Sequence, residues 1–316
     1  MRGHFLPESY LAGFTDPVLE PGRRSRRAWV CTPKTLRWER RGPRSIAVRR
    51  DLYIVSDGKG GKDDTVEKRI LCTVEGEFVR IVRDVIRARG AFTKYDRAMF
   101  AAFVAFMMVR MPGQLEKLRE QIPEAWKVVL TAWRDHLRRN PDEFERLKAR
   151  AEAETGRPFN ITLEEFDPTG VRITTDRAGV VATVFGDISP LAQSVANMEW
   201  SFASATPPDY FITSDWPILL LDGTGNSPND WGRGLLERDA RLTLPLSRDI
   251  ALIAHWNENW PAHYEATSDQ VFAFNLCAAT RAQDLYVAPK QEFPGSAKIM
   301  WKIERDAASR EENRSK

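Results

Sequence analysis

One segment of the sequence constrains the fold more than any other, the stretch YDRAMFAAFVAFMMVRMP at positions 95–112. A helix over this segment is apolar on nearly all sides, and such a helix is stable only when other elements pack on several of its faces. The segment is too short to cross a bilayer, which takes about 20 apolar residues. It therefore predicts a buried central helix that ends at Arg110 and Pro112.

The composition is that of an ordinary globular protein, but the positive charge is unevenly distributed. Among 316 residues, 29% are charged and the net charge is only +3. Residues 1–50 hold eleven arginines and one lysine against four acids, which is +8 and leaves −5 on the rest of the chain. This Arg-rich N-terminal segment predicts contact with nucleic acid or another polyanion, with a solvated charged face as the alternative.

The cysteines and the N-terminus predict a cytoplasmic protein. Cys31, Cys72 and Cys277 are far apart in the sequence and have no metal-ligating neighbours, as expected for reduced thiols. The opening residues MRGHFLP lack the apolar run of a signal peptide, and no later stretch is long enough to span a membrane. We therefore expect no membrane association, while the sequence leaves the oligomeric state open.

The N-terminal half predicts a hairpin followed by helices. Residues 28–32 and 35–39 alternate in a way typical of a β-hairpin around Pro33. An amphipathic pattern that begins near Asp63 or Asp64 predicts a long helix ending at Gly90. After the central helix, further helical segments are predicted at 114–118, 124–139 and 142–154.

The C-terminal half predicts strands. Strand patterns occupy 200–203, 210–213, 218–221, 242–247 and 250–254, and a last helix capped by Ser268 precedes a strand at 285–287. We therefore expect an α+β fold: an N-terminal β-hairpin, a helical middle segment and a C-terminal antiparallel or mixed sheet. The expected organisation is one domain over residues 1–304 and a disordered polar tail over 305–316.

Several short motifs occur in a fixed order along the chain. They are His4-Phe-Leu-Pro7 with Tyr10-Leu11 and Phe14, Asp51-x-Tyr53, Val66-Glu67, Glu75, Val109-Arg-Met-Pro112, Phe211-Ile-Thr-Ser-Asp215-x-Pro217, Pro245-Leu-Ser247 and Asn275. Over about residues 4–290 this pattern resembles the domain of unknown function 4238 family, with a departure at Glu8, where the family often has glutamine. The resemblance implies a shared fold and a shared polar cluster. It implies no reaction.

Five polar residues embedded in apolar stretches are the candidate catalytic residues: His4, Glu67, Glu75, Arg110 and Asp215. Tyr10, Tyr53 and Asn275 are the candidate substrate-binding residues. Buried polar groups are costly unless they are paired, so two interpretations compete. In the structural one, Arg110 pairs with Glu67 or Glu75, Asp215 caps a turn or a pair of backbone N–H groups, and His4 anchors the N-terminal segment.

In the functional interpretation these groups converge on one pocket. His4 is then a base or metal ligand, the carboxylates are metal ligands or acids, and Arg110 is an anion clamp. Histidine with carboxylates suits Mg, Mn or Zn, but no diagnostic ligand spacing is present, so metal and cofactor stay undetermined. Ser214 lacks the flanking glycines of a nucleophile elbow, and the 58–62 loop does not have P-loop spacing.

The leading hypothesis is a hydrolase that acts on a phosphate-bearing or nucleic-acid substrate. The alternatives are a non-catalytic binding module with a buried structural polar network, and a defence or toxin-type effector. The hydrolase and the binding module predict different geometry for the polar cluster. A concave cluster open to solvent favours an enzyme, and a closed, fully paired cluster favours a binding module.

Overall fold

The structure is a computed structural model. It describes residues 2–18, 26–33, 35–50, 55–56, 62–63, 72–160, 162–174, 179–180, 188–221, 234–257 and 259–292. The chain forms two compact units, one of residues 1–112 with 184–316 and the other of residues 113–183. Glu67, Tyr53 and the 305–316 tail lie outside the described residues.

The predicted hairpin is confirmed and belongs to a four-stranded antiparallel sheet in the first unit. Strands β2 (Ala28–Thr32) and β3 (Arg37–Arg41) pair with Val30 opposite Glu39. The sheet order is β3-β2-β13-β8, where β8 is Thr213–Ser214 and β13 is Tyr286–Ala288. The hairpin strand β2 therefore pairs with a strand from the C-terminal end of the described chain.

The first unit also contains a five-stranded mixed sheet. Its order is β12-β7-β11-β10-β9, formed by His263–Glu265, Glu199–Ser204, Ile250–His255, Arg241–Ser247 and Leu219–Leu221. Among the described strands of this sheet, only the β12–β7 pair is parallel. Two short ladders complete the strands described, β1 (Arg2–His4) with β4 (Val48–Arg50) and β5 (Val55–Ser56) with β6 (Lys62–Asp63).

Five helices described in the structure belong to this unit: α1 (Glu8–Leu11), α2 (Cys72–Ile81), α3 (Lys94–Val109), α6 (Ser189–Asn197) and α7 (Ser268–Arg281). The predicted central helix is α3. Its N-terminus has a capping box between Thr93 and Asp96, and Phe100, Phe103 and Phe106 are buried. The fold is therefore α+β, with one antiparallel and one mixed sheet, as the sequence predicts.

Aromatic side chains from several elements form the core around α3. Phe103 stacks on Phe78 at 3.8 Å between ring centroids, and Tyr10 lies 6.3 Å from Phe103. On another side of α3, the Phe100 ring lies 5.1 Å from that of Trp200. These contacts connect α1, α2, α3 and the five-stranded sheet, which explains why this helix is apolar on several faces.

Gly13 lies in close contact with the C-terminal end of β10. A Cβ atom at this position would lie 3.0 Å from the Cβ of Ser247 and 3.2 Å from the carbonyl oxygen of Leu246. The Gly13 carbonyl also accepts a hydrogen bond from the Arg248 N–H at 3.0 Å. A side chain at this position would therefore require the β10 backbone or Ser247 to shift by a few tenths of an ångström.

Some predicted boundaries were wrong. Asp63 lies in β6 rather than at a helix start, and the segment from 210 becomes a strand only at Thr213. The cap of α7 is Thr267, in a capping box with Gln270, rather than Ser268. Val82–Ile86 continues α2 as a π-helical turn. In these cases the pattern identified the element, but local hydrogen bonding decided where it ends.

The second unit contains two long helices in its described residues, and its residues 156–160 and 162–174 form turns and irregular structure. Helix α4 (Pro112–Arg139) is continuous through Pro123, where the sequence predicted two separate segments, and α5 (Pro141–Thr155) follows after Asn140. Gly156 ends α5 in the left-handed conformation (φ 65°) that glycine adopts without strain. In the described part of the chain, no helix has the length and apolarity needed to cross a membrane.

Candidate functional site

Arg110 is the most deeply buried charged residue among the candidates, with 2% of its surface exposed. It caps α3 at the C-terminus, where a cation is favoured by the helix dipole. Its Nη1 lies 2.9 Å from Glu75 Oε1, and its Nη2 donates to the backbone carbonyl of His4 at 2.6 Å. Arg110 therefore joins α3, α2 and β1, which is the pairing that the structural interpretation predicts.

His4 contributes its main chain to this cluster, and its imidazole lies elsewhere. The Nε2 atom is 3.2 Å from the carbonyl oxygen of Arg44, in the short 3₁₀ turn Pro43–Ser45. The His4 backbone pairs with Val48 in the β1–β4 ladder. The ring thus holds the N-terminal strand against the turn that precedes β4.

Tyr10 is fully buried and makes structural hydrogen bonds. Its hydroxyl donates to the carbonyl oxygen of Pro245 at 2.8 Å and lies 2.6 Å from Thr213 Oγ1. Burial raises the pKa of the Tyr10 hydroxyl far above its ordinary value, although the hydrogen bond to Thr213 opposes this. Tyr10 therefore joins α1 to strands of both large sheets, and no surface of its ring is left for a substrate.

Asn275 likewise uses its side chain within the protein. Its Oδ1 accepts from the Ile212 N–H at 2.9 Å, and its Nδ2 donates to the Tyr210 carbonyl at 2.8 Å. The residue is completely buried in α7. The side-chain amide thus provides hydrogen-bond partners for one backbone donor and one backbone acceptor of residues 210–212, which precede strand β8 at Thr213.

Asp215 caps the connection between α7 and β13. Its carboxylate accepts from the N–H groups of Gln283 at 2.9 Å and Asp284 at 2.6 Å, and its own N–H donates to the Leu285 carbonyl at 3.0 Å. Burial raises the pKa of the Asp215 carboxyl to about 6, while the two backbone N–H donors act in the opposite direction.

This raised pKa gives a testable pH dependence. Since the folded carboxyl titrates at about 6 and the unfolded one at about 3.9, the folded state binds more protons between these values. The stabilisation is therefore greatest below the unfolded pKa and is lost as pH rises through the folded pKa. Relative to Asp215→Asn, we expect the wild-type free energy of unfolding to be about 2 kcal/mol lower at about pH 7 than at about pH 4. Urea unfolding of both proteins at each pH measures this effect. If the difference in free energy of unfolding between wild type and Asp215→Asn does not change with pH, the raised pKa of Asp215 is contradicted.

The candidates therefore form separate hydrogen-bonded groups rather than one pocket. Arg110, Glu75 and the His4 carbonyl make one group, Tyr10 with Thr213 another, and Asp215 and Asn275 each bind backbone. Glu67 and Tyr53 lie outside the described residues. Ser214, which the sequence disfavours as a nucleophile, is buried and accepts from the Trp216 N–H at 3.1 Å.

One open groove adjoins this network. It has a volume of about 840 Å³ and is lined by α1, the 42–44 turn and the exposed side of α2. Glu75 lines it and keeps 24% of its side chain exposed. The groove also contains Glu8, Ser9, Arg26, Arg44 and Cys72. Of the candidates described, Glu75 alone reaches this space.

Sequence reasoning missed Arg26 and Arg44 as individual groove residues, although it identified the Arg-rich segment that contains them. Both are exposed, and among the described residues neither side chain has an ion-pair partner. Ser9 was also missed; its Oγ is buried beside the groove and makes no hydrogen bond within the described structure. No spacing rule distinguishes these residues, because the groove is formed by segments distant in sequence.

The described residues contain no group of three or more histidine, cysteine or acidic side chains that would hold a metal ion. The Nε2 atom of His255 lies within hydrogen-bond distance of Ser201 Oγ, at 3.0 Å, inside the five-stranded sheet. Desolvation lowers the pKa of the His255 imidazole. His136 lies 3.0 Å from Glu143 at the α4–α5 junction. His255 is therefore packed in the sheet, and His136 lies on the surface.

Comparison with known families places these groups in context. The profile described as "Protein of unknown function (DUF4238)" matches residues 2–291. The chain belongs to the DUF4238 family. No curated protein and no solved structure matches it. In this DUF4238 protein the motif residues Tyr10, Arg110, Asp215 and Asn275 all hold separate segments together.

Proposed function

We propose that this protein is a non-catalytic binding protein that holds a phosphate-bearing or nucleic-acid ligand at its N-terminal basic face. The observation that carries this proposal is the closed pairing of Arg110, which is 2% exposed and is bonded to Glu75 and to the His4 carbonyl. A catalytic acid, base or nucleophile must lie within hydrogen-bond reach of the substrate. Tyr10, Asn275 and Asp215 are instead committed to backbone and hydroxyl partners.

The groove supplies the anion-binding surface in this proposal. Arg26 and Arg44 are exposed along it, and the charge of Glu75 is balanced by Arg110. Glu8 is the remaining acid in the lining. Exposed arginines suit phosphate because the guanidinium offers paired donors that match two phosphate oxygens.

A hydrolase that works in the same groove is the second candidate. It is favoured by Glu75, whose carboxylate is held by Arg110 on the groove wall with 24% of the side chain exposed. In that case Glu75 would be the general base or acid. The effector hypothesis stays a prediction. A cytoplasmic location is also part of this proposal, supported by three cysteines that are all thiols.

Fluorescence anisotropy with a labelled single-stranded oligonucleotide tests the binding proposal. We expect Arg26→Gln/Arg44→Gln to weaken binding by about tenfold and to reduce the slope of log affinity against log salt by about 1.4, the value for two lost phosphate contacts. The matched control is Arg146→Gln/Arg157→Gln, two exposed arginines outside the groove. Equal affinity in both double variants would contradict the proposed surface.

The same oligonucleotide separates binding from hydrolysis. After incubation it is analysed on a denaturing gel. If wild type cleaves it and Glu75→Gln does not, while both bind it equally, the hydrolase replaces the binding protein as the function. Intact oligonucleotide with wild type supports the non-catalytic proposal for this substrate class.

A further inference from the structure

The 113–183 unit contains a second cavity, distant in sequence from the groove. Its volume is about 530 Å³, within the range of roughly 300–1,000 Å³ that small-molecule sites occupy. Its walls are the C-terminal half of α4, helix α5, Phe159 and residues of 162–166. The lining is mainly apolar, and its apolar side chains include Trp133, Leu137, Phe144, Leu147, Phe159 and Phe166.

The two helices turn apolar faces toward this cavity without closing it. Trp133 and Leu137 are one turn apart on α4, and Phe144, Leu147 and Ala151 follow the helical period on α5. Leu137 is buried, yet Trp133 is 45% and Phe159 37% exposed. No residue of α5 is buried. Apolar side chains of the cavity therefore remain exposed to water. Exposed apolar surface in a concave space is typical of a site that binds an apolar ligand.

The polar part of the lining has an excess of positive charge. Arg150 donates to Glu154 at 2.7 Å, so these two charges balance. The other two lining cations are Lys148 and Arg134, and Arg134 also lies close enough to the Asp167 carboxylate to help lower its pKa. The Arg134 Nε is buried and makes no hydrogen bond in the described part of the chain, and the carboxylate oxygen of Asp135 is 3.5 Å away from it. No ion pair of Lys148 occurs among the described residues.

We propose that this cavity binds a small amphipathic carboxylate, with its hydrocarbon part among the aromatic side chains and its carboxylate near Arg134 and Lys148. Burial of the hydrocarbon removes apolar surface of ligand and protein from water together. The carboxylate supplies the acceptor that the Arg134 donor lacks. This site is independent of the groove and of the function proposed for it.

The test uses the full chain and decanoate, kept below the concentration at which it forms micelles. Isothermal titration calorimetry should show one decanoate per chain, while decyltrimethylammonium, with the same tail and the opposite charge, should bind at least about tenfold more weakly. Ala151→Trp fills the cavity and should weaken decanoate binding by at least about tenfold. Ala153→Trp is the matched control, since Ala153 is exposed on the same helix and outside the lining.

A charge reversal tests the site without filling it. Lys148→Glu should weaken decanoate binding about tenfold and strengthen binding of the cationic amphiphile. Arg146→Glu, at an exposed arginine of α5 outside the lining, should change neither. This pair tests the proposal even if Ala151→Trp fails to fold, which circular dichroism would reveal. Failure of wild type to bind decanoate, equal binding of both amphiphiles, or equal effects of each variant and its control would overturn the proposal.

Discussion

Replacement of Arg110 by methionine should lower the free energy of unfolding by about 3 kcal/mol. The change removes a cation that is 2% exposed and leaves Glu75 and the His4 carbonyl without its donors. Removal of one partner from a buried ion pair is costly because the other charge loses its compensation. Glu75 keeps 24% of its side chain exposed, so water replaces part of the interaction.

Urea unfolding followed by circular dichroism measures this effect. The matched control is Arg41→Met, which breaks an ion pair with Glu39 whose side chains are 42% and 59% exposed. That pair should contribute less than about 1 kcal/mol. Arg110→Lys should have an intermediate free energy of unfolding. The ammonium keeps the positive charge, but it does not reproduce the two guanidinium nitrogens that donate to Glu75 and to the His4 carbonyl. If Arg110→Met is as stable as wild type and loses only ligand binding, Arg110 belongs to a working site.

Replacement of Asn275 by alanine should have a similar cost, about 3 kcal/mol. The Asn275 amide is completely buried and bonds both the Ile212 N–H and the Tyr210 carbonyl. Alanine would leave these two backbone groups without that partner in a dry environment. An unsatisfied buried donor or acceptor costs about 1–3 kcal/mol, which makes the loss larger than that of an ordinary hydrogen bond.

The control for this prediction is Asn197→Ala, because Asn197 is exposed and its Oδ1 accepts a surface hydrogen bond from Gln193 at 2.9 Å. We expect that change to stay within about 0.5 kcal/mol. Thermal and urea unfolding of both variants give the comparison. Asn275→Ala with wild-type stability would show that the amide is not a structural link, and would favour the substrate-binding role that the sequence predicts for Asn275.

Local patterns in the sequence were enough to predict several elements. The apolar content of residues 95–112 predicted α3 as the packing centre, since every face had to be covered. The alternation of 28–32 with the next strand predicted the hairpin. The Arg-rich segment was evident from composition, but its charges are used differently: Arg40 pairs with Asp16 and Arg49 with Asp284, whereas Arg26 and Arg44 line the groove.

The roles of the polar candidates depended on contacts between residues distant in sequence. Arg110 meets His4 across 106 positions and Tyr10 meets Pro245 across 235, separations over which periodicity carries no information. The sequence by itself determined the α+β class, the central helix, the hairpin and which buried polar residues needed partners, because these follow from local pattern and from the cost of burying polar groups. Only the tertiary structure decided that those partners are backbone and neighbouring side chains, and where the open concave surfaces lie, because a hydrogen bond or a cavity exists only once distant segments are packed together.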